Sequence, residues 1–139
     1  MDVTDTSYAE GRVISFESEE KIRSDLLETF PYEGPRQKID YETREFSAVC
    51  PFNGLPDFGY LSIEYIPDIK IVELKSLKYY IVSFRPVGIF QEPVTARIYG
   101  DLWALLEPQW LRVKTVYNTR GGIDATCTID SNKQDPEQP

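Results

Sequence analysis

Cys50 is the residue whose type and setting point first to chemistry. It stands where an alternating segment, residues 37–49, gives way to the run Cys50-Pro51-Phe52-Asn53-Gly54-Leu55-Pro56-Asp57. Cysteine is the strongest common nucleophile near neutral pH. A carboxylate within reach, here Asp57, can accept the thiol proton and return one to a product. Spacing alone leaves a plainer alternative open, in which Cys50 is a small buried hydrophobe. The second cysteine, Cys127, alternates with Ile123, Ala125 and Ile129, a pattern that places it in the core.

Two further groups carry charge in a suggestive arrangement. Lys75 and Lys78 are three residues apart in Glu73-Leu74-Lys75-Ser76-Leu77-Lys78-Tyr79-Tyr80, so they share one face near a helix start. Cations beside the N–H groups of a helix N-terminus suit phosphates, although an ordinary solvated face reads the same way. Gln91-Glu92 precedes Pro93. Glu92 could simply favour a helix N-terminus, or its carboxylate could accept two parallel hydrogen bonds from a ligand with adjacent N–H groups, as a guanine-type ring has.

Composition excludes several alternatives. The 139 residues fit one domain, with 15 basic and 23 acidic side chains and a net charge of −8. That balance argues against nucleic-acid binding through a general basic surface. Histidine is absent, which removes Ser-His-Asp and Cys-His catalysis and every histidine-containing metal site. Two cysteines make neither a disulfide framework nor a four-cysteine zinc site, and a reduced, cytoplasmic setting follows as the default. There is no run of 18 apolar residues to cross a membrane, no N-terminal secretory pattern, and no Gly-x-Gly-x-x-Gly for a Rossmann site.

The elements that must position these residues can be read from periodicity. Residues 1–17 and 131–139 read as loose ends, acidic and apolar-free respectively, around a domain at 18–130. Ser18 is expected to cap a helix with Ile22, Leu26, Leu27 and Phe30 on one face, ended by Pro31. Strands follow at 37–49 and 58–66, separated by the Pro-rich loop. Helices are expected over about 73–85 and from Val94 to Pro108, then strands at Trp110–Tyr117 and Ile123–Ile129 joined through Thr119-Arg120-Gly121-Gly122. The sum is an α+β domain, strand-strand-helix-helix-strand-strand, with two helices on one face of an antiparallel four-stranded sheet. Its open edges call for pairing between copies, so an oligomer is expected.

Together these segments resemble one family. Val72-Glu73-Leu74-Lys75-Ser76-Leu77-Lys78-Tyr79-Tyr80, followed by Ser83-Phe84-Arg85, is similar to the signature of the 7-cyano-7-deazaguanine reductases, the QueF-type nitrile reductases of queuosine biosynthesis. Val49-Cys50-Pro51 with Gly54-x-Pro56-Asp57-Phe58 resembles that family's catalytic loop. Arg120-Gly121-Gly122 and Leu26-Leu27-Glu28-Thr29-Phe30-Pro31 match as well, and the length is similar to the short, single-module form. The resemblance implies a tunnel fold (T-fold), a barrel closed by oligomerisation, and a decamer of two stacked pentamers.

It also implies reduction of a nitrile to a primary amine with two NADPH and no metal. Cys50 would form a covalent thioimide with the substrate and Asp57 would move the protons. Val72, Glu73, Leu74, Gln91 and Glu92 would line or grip the deazaguanine, while Lys75, Lys78 and Arg120 would meet the cofactor. Gln91 stands where the family pattern often has histidine, and an amide does not exchange a proton near pH 7. Two rivals share the fold. An amidine-forming enzyme of tRNA modification would use a similar thioimide with ammonia as attacker, against which the intact Lys-x-x-Lys argues. A non-catalytic T-fold binding protein would not need both Cys50 and Asp57.

Overall fold

A computed structural model describes residues 14–132. A four-stranded antiparallel sheet carries the chain, built from β2 (Ile39–Val49), β3 (Pro56–Ile66), β5 (Trp110–Arg120) and β6 (Ile123–Asp130) in the order β2-β3-β5-β6. A separate two-stranded pair joins β1 (Thr29–Pro31) to β4 (Lys70–Val72). Two helices, α1 (Leu74–Val82) and α2 (Gln91–Leu106), lie between β4 and β5 in the chain.

Period-two alternation sorts the sheet into a dry face and a wet one. Leu61, Ile63 and Tyr65 of β3 and Leu111, Val113, Thr115 and Tyr117 of β5 are buried. Against them α2 sets Val94, Ile98, Leu102 and Leu106, spaced as one helical face, and α1 adds Leu77 and Tyr80. The other face is charged. Glu64 stands opposite Arg112 in the ladder and accepts from it at 3.3 Å and from Lys38 at 2.7 Å, while Arg112 also meets Asp130 at 3.0 Å. α2 ends where Glu107 turns into the left-handed region (φ 45°), just before Pro108.

The expected helix after Ser18 does not form. Residues 19–26 make two short 3₁₀ turns, Glu19–Lys21 and Ser24–Leu26, and Thr29–Pro31 is a strand. Tertiary bonds explain the change. The N–H of Arg23 donates to Ser83 Oγ and that of Glu28 to Ser76 Oγ, both at 3.0 Å, while Glu28 O accepts from Glu73 N. These backbone groups are bound to α1 and its flanks instead of to a helix of their own. Ile22 and Leu27 still reach the core, whereas Phe30 stays exposed.

The expected loose ends fall mostly outside the described residues. Those that are described are bonded: Ile14 N donates to Asn53 O and Glu17 N to Pro86 O, and Ser131 N donates to Leu111 O.

Candidate active site

Two irregularities in the ladders decide which side chains meet. Between Thr43 and Phe46 the register of β2 on β3 slips by one residue. Ile39 and Tyr41 before the slip, and Phe46 and Ala48 after it, all pack on the core side. An inserted residue of this kind switches which parity faces inward. Carried past Val49, the new parity puts Cys50 on the face of Ala48, and Ala48 is paired with Asp57. Cys50 N donates to Leu55 O at 2.9 Å, so Cys50 and Asp57 are diagonal neighbours on one face, about 7–8 Å apart between Cα atoms. Gly54, at φ 77°, closes the loop by donating to Cys50 O at 2.8 Å. The register thus sets Cys50 and Asp57 on one face at the same end of the sheet.

The second slip, between Tyr117 and Arg120 on β5, does the same for a cation. Three positions of plain alternation would turn Arg120 away from Tyr117. The extra residue brings its guanidinium 5.1 Å above the Tyr117 ring instead. From there it makes long contacts of 3.4 Å to Asp57 Oδ1 and to Gln91 Oε1. The Asp57 side chain is only 11% exposed.

Gln91 braces this corner. Buried at the first position of α2, its amide donates to Ala125 O at 2.9 Å, to Thr115 O at 3.2 Å and to Thr115 Oγ1 at 3.3 Å. Thr95 Oγ1 donates to Gln91 O and lies 2.8 Å from Thr115 Oγ1. Gln91 is therefore fastened to β5 and β6 while its oxygen holds Arg120. Glu92, the next residue, is exposed. Its charge acts on Cys127 and Tyr117: burial is the main reason both hold their protons above the usual range, with Glu92 adding to the shift.

Cys127 departs from the expected core position. It is half-buried on the edge strand β6, opposite Thr115, because β6 has a neighbour on one side only. Its raised thiol makes it a poor nucleophile.

The remaining expected residues lie elsewhere on the chain. Val72 N donates to Tyr65 Oη at 3.2 Å, and Tyr65 is eight positions beyond Asp57 on β3, roughly 26 Å along the strand. Val72 thus lies at the far end of the sheet from Cys50, with Glu73, Leu74 and Lys75 next to it in the chain, while Lys78 reaches Thr43 and Leu61 midway along the sheet. Glu73 caps α1, accepting from Lys75 N and from Ser76 N at 3.2 Å, so the N–H groups expected to greet an anion are already taken. Lys75 and Lys78 remain exposed. Lys78 and Arg85 line a 510 Å³ groove between α1 and β2 with Tyr41, Leu77 and Ile81. Asp40, Glu42 and Glu45 line the same groove, so its charge is mixed, and Lys75 is not part of its lining. The groove contains neither Cys50 nor Asp57.

Sequence reasoning missed Tyr117, Thr115 and Thr95 as members of this site. The alternation of Val113, Thr115 and Tyr117 was a signal that they share the inward face. Among the described residues, no group of three or more His, Cys, Asp or Glu could hold a metal, and no helix is long and apolar enough to cross a membrane.

Comparison with known proteins decides the family. A family model described as "QueF-like protein" matches residues 56–136. A protein of Thermotoga maritima named "NADPH-dependent 7-cyano-7-deazaguanine reductase" is 56% identical over 124 residues, covering 88% of this chain and 90% of the relative. The chain belongs to the 7-cyano-7-deazaguanine reductase family. A family member of the same name from Caldicellulosiruptor bescii is 53% identical over 106 residues, covering 75% of this chain and 81% of its own. The crystal structure of an archaeosine synthase QueF-Like in its apo form superposes with a TM-score of 0.65 at 22% identity, covering 71% of this chain and 96% of that one. At that identity the likeness speaks for a shared α+β fold.

Proposed function

We propose that this protein reduces the nitrile of 7-cyano-7-deazaguanine to the primary amine of 7-aminomethyl-7-deazaguanine, a step of queuosine biosynthesis, using two NADPH. The observation that carries the reading is the shared face of Cys50 and Asp57. A nitrile carbon resists direct reduction but accepts a thiolate. The Cys50 sulfur bonds to that carbon, the thiol proton passes through Asp57 to the nitrogen, and the product is a thioimide. NADPH, when bound, supplies hydride for each of the two reductions. After the first, the carbon–sulfur bond breaks and Cys50 leaves with its electron pair, giving an imine. Two protons and two hydrides are consumed in all, which balances nitrile to amine.

Glu92 suits the base: an exposed carboxylate beside the nucleophile's face can accept from the N1 and 2-amino hydrogens of a guanine-type ring. Gln91 positions Arg120, and Arg120 orients Asp57. Lys75 and Lys78 are assigned to the cofactor. Their distance from Cys50 within one chain supports a site completed between copies, with the lysines of one copy near the thiol of another. The same reading takes the assembly to be a T-fold barrel closed by oligomerisation, a decamer of two stacked pentamers, working in the cytoplasm without metal, membrane or nucleic acid.

The decisive experiment mixes the protein with 7-cyano-7-deazaguanine and follows NADPH absorbance. Two equivalents lost per substrate are expected. Ammonia-dependent turnover without NADPH loss would instead establish the amidine-forming reading.

A further inference from the structure

Tyr117 carries a polar atom that the free chain leaves without a partner. Its side chain is 2% exposed, and its hydroxyl is the one buried side-chain N or O atom among the described residues that makes no hydrogen bond. Such a group raises the question of what it waits for. A phenylalanine would fill the same space without that cost.

The setting gives the answer. Tyr117 is paired directly with Gly59 on β3, and a Cβ at Gly59 would lie 2.7 Å from Tyr117 Cδ1. The missing side chain is what lets the ring lie across β3. Asp57 is two positions before Gly59, which makes it the diagonal neighbour of Tyr117 on the same face, within reach of an aromatic side chain. Asp57 therefore has Cys50 diagonally on β2 and Tyr117 diagonally on β5. The charged and titratable groups around the hydroxyl are Asp57 on β3, Arg120 on β5, Cys127 on β6 and Glu92 on α2. After burial, Asp57 is the strongest of these in keeping the phenol protonated, so a donor is always available.

We propose that Tyr117 is a positioning residue for the reaction, whose hydroxyl donates to the Asp57 carboxylate while Asp57 carries the proton between Cys50 and the substrate nitrogen. This rests on the thioimide reading above. In the free chain Arg120 occupies Asp57 with a single long contact of 3.4 Å. The same face offers that carboxylate the unpartnered hydroxyl of Tyr117 as a second donor. No bond other than the hydrogen bond is made or broken by Tyr117, and the proton in transit stays with Asp57.

The test compares wild type with Tyr117→Phe, following adduct formation on Cys50 by mass spectrometry with 7-cyano-7-deazaguanine and no NADPH, across pH. The variant keeps the ring, so its melting temperature should match or exceed that of the wild type. Adduct formation should slow about 10- to 100-fold, the effect of losing a hydrogen bond to a charged group. Its acid limb should also move to higher pH, because a donor to the carboxylate favours the charged form and its loss lets Asp57 hold a proton longer. Wild-type rate and an unmoved limb in Tyr117→Phe would overturn the proposal while leaving the thioimide reading intact. A lowered melting temperature would overturn it too, by showing a structural partner for the hydroxyl. A wild type that forms no adduct would sink the thioimide reading, and this proposal with it.

Discussion

Gly59 and Tyr117 face each other across the β3–β5 pair, and the tyrosine ring occupies the space in which any other residue at 59 would keep its side chain. Gly59→Ala should therefore be costly in spite of its small size. Its Cβ would also lie 2.9 Å from the carbonyl oxygen of Val116, and backbone cannot step aside as a side-chain tip can. A loss of about 1–3 kcal/mol is expected in denaturant unfolding. An unchanged midpoint would show that the ladder absorbs the methyl by shifting.

The two thiols should behave differently. With nitrile substrate and no NADPH, one adduct is expected on the peptide containing Cys50, and Cys50→Ala should abolish both adduct and turnover. Cys127→Ala should cost about 1 kcal/mol of stability at a half-buried edge position and leave the adduct in place. Adduct mapped to Cys127 would reverse the assignment.

Glu92→Gln separates base recognition from cofactor binding. Replacing one acceptor oxygen by a donor, and losing the charge, should cost about 2–4 kcal/mol, or roughly 30- to 1000-fold in apparent substrate affinity. NADPH affinity should barely move. Unaltered adduct formation would leave Glu92 as a helix-start residue only.

Lys75→Ala and Lys78→Ala should give the opposite pattern. The NADPH concentration needed for half-maximal rate should rise while the Cys50 adduct still forms. In the wild type this NADPH requirement should climb with salt, since contacts made by exposed lysines are screened over about 10 Å at 0.1 M. Salt-independent NADPH affinity would move the phosphates elsewhere.

Alkali should unfold the protein steeply. Burial raises the proton affinity of Tyr65, Tyr80 and Tyr117 in the folded state. Above the ordinary tyrosine value of about 10, the unfolded chain loses these protons while the folded chain keeps them, so the folded state binds more protons and stability falls as pH rises. Three such groups give a slope of up to about 4 kcal/mol per pH unit. Guanidinium melts between pH 8 and 11 (about the span of tyrosine ionisation) should be flat at first and then fall. A flat profile throughout would contradict the burial of these hydroxyls.

The strands and both helices were legible because their periods are regular: Leu61, Ile63 and Tyr65 alternate, and Val94, Ile98, Leu102 and Leu106 repeat as a helix face. The helix expected after Ser18 was not, because its spacing was right but Ser76 and Ser83 compete for its backbone from far along the chain. The site was legible in its residue types and not in its geometry. Cys50 and Asp57 could be paired by their loop, yet the slip that turns Cys50 inward shows only as a change from Ile39 and Tyr41 to Phe46 and Ala48. The slip before Arg120 leaves no pattern at all, so its pairing with Asp57 could not be anticipated. Short strands such as β1 and β4, three residues each, hold too few positions for a period to be visible.

The cap on α1 has a consequence for any ligand that approaches Glu73. The same carboxylate that holds Lys75 N and Ser76 N is the one a ligand would have to engage. Helix order and ligand occupancy therefore draw on one pair of oxygens, which have lone pairs left for a second donor. A molecule that turns the Glu73 carboxylate away from the cap releases the first turn of α1, and the amides of Lys75 and Ser76 would report it by faster hydrogen exchange. A molecule that leaves those amides protected leaves the cap in place. The first turn of α1 is in this sense a built-in indicator of whether a ligand turns Glu73.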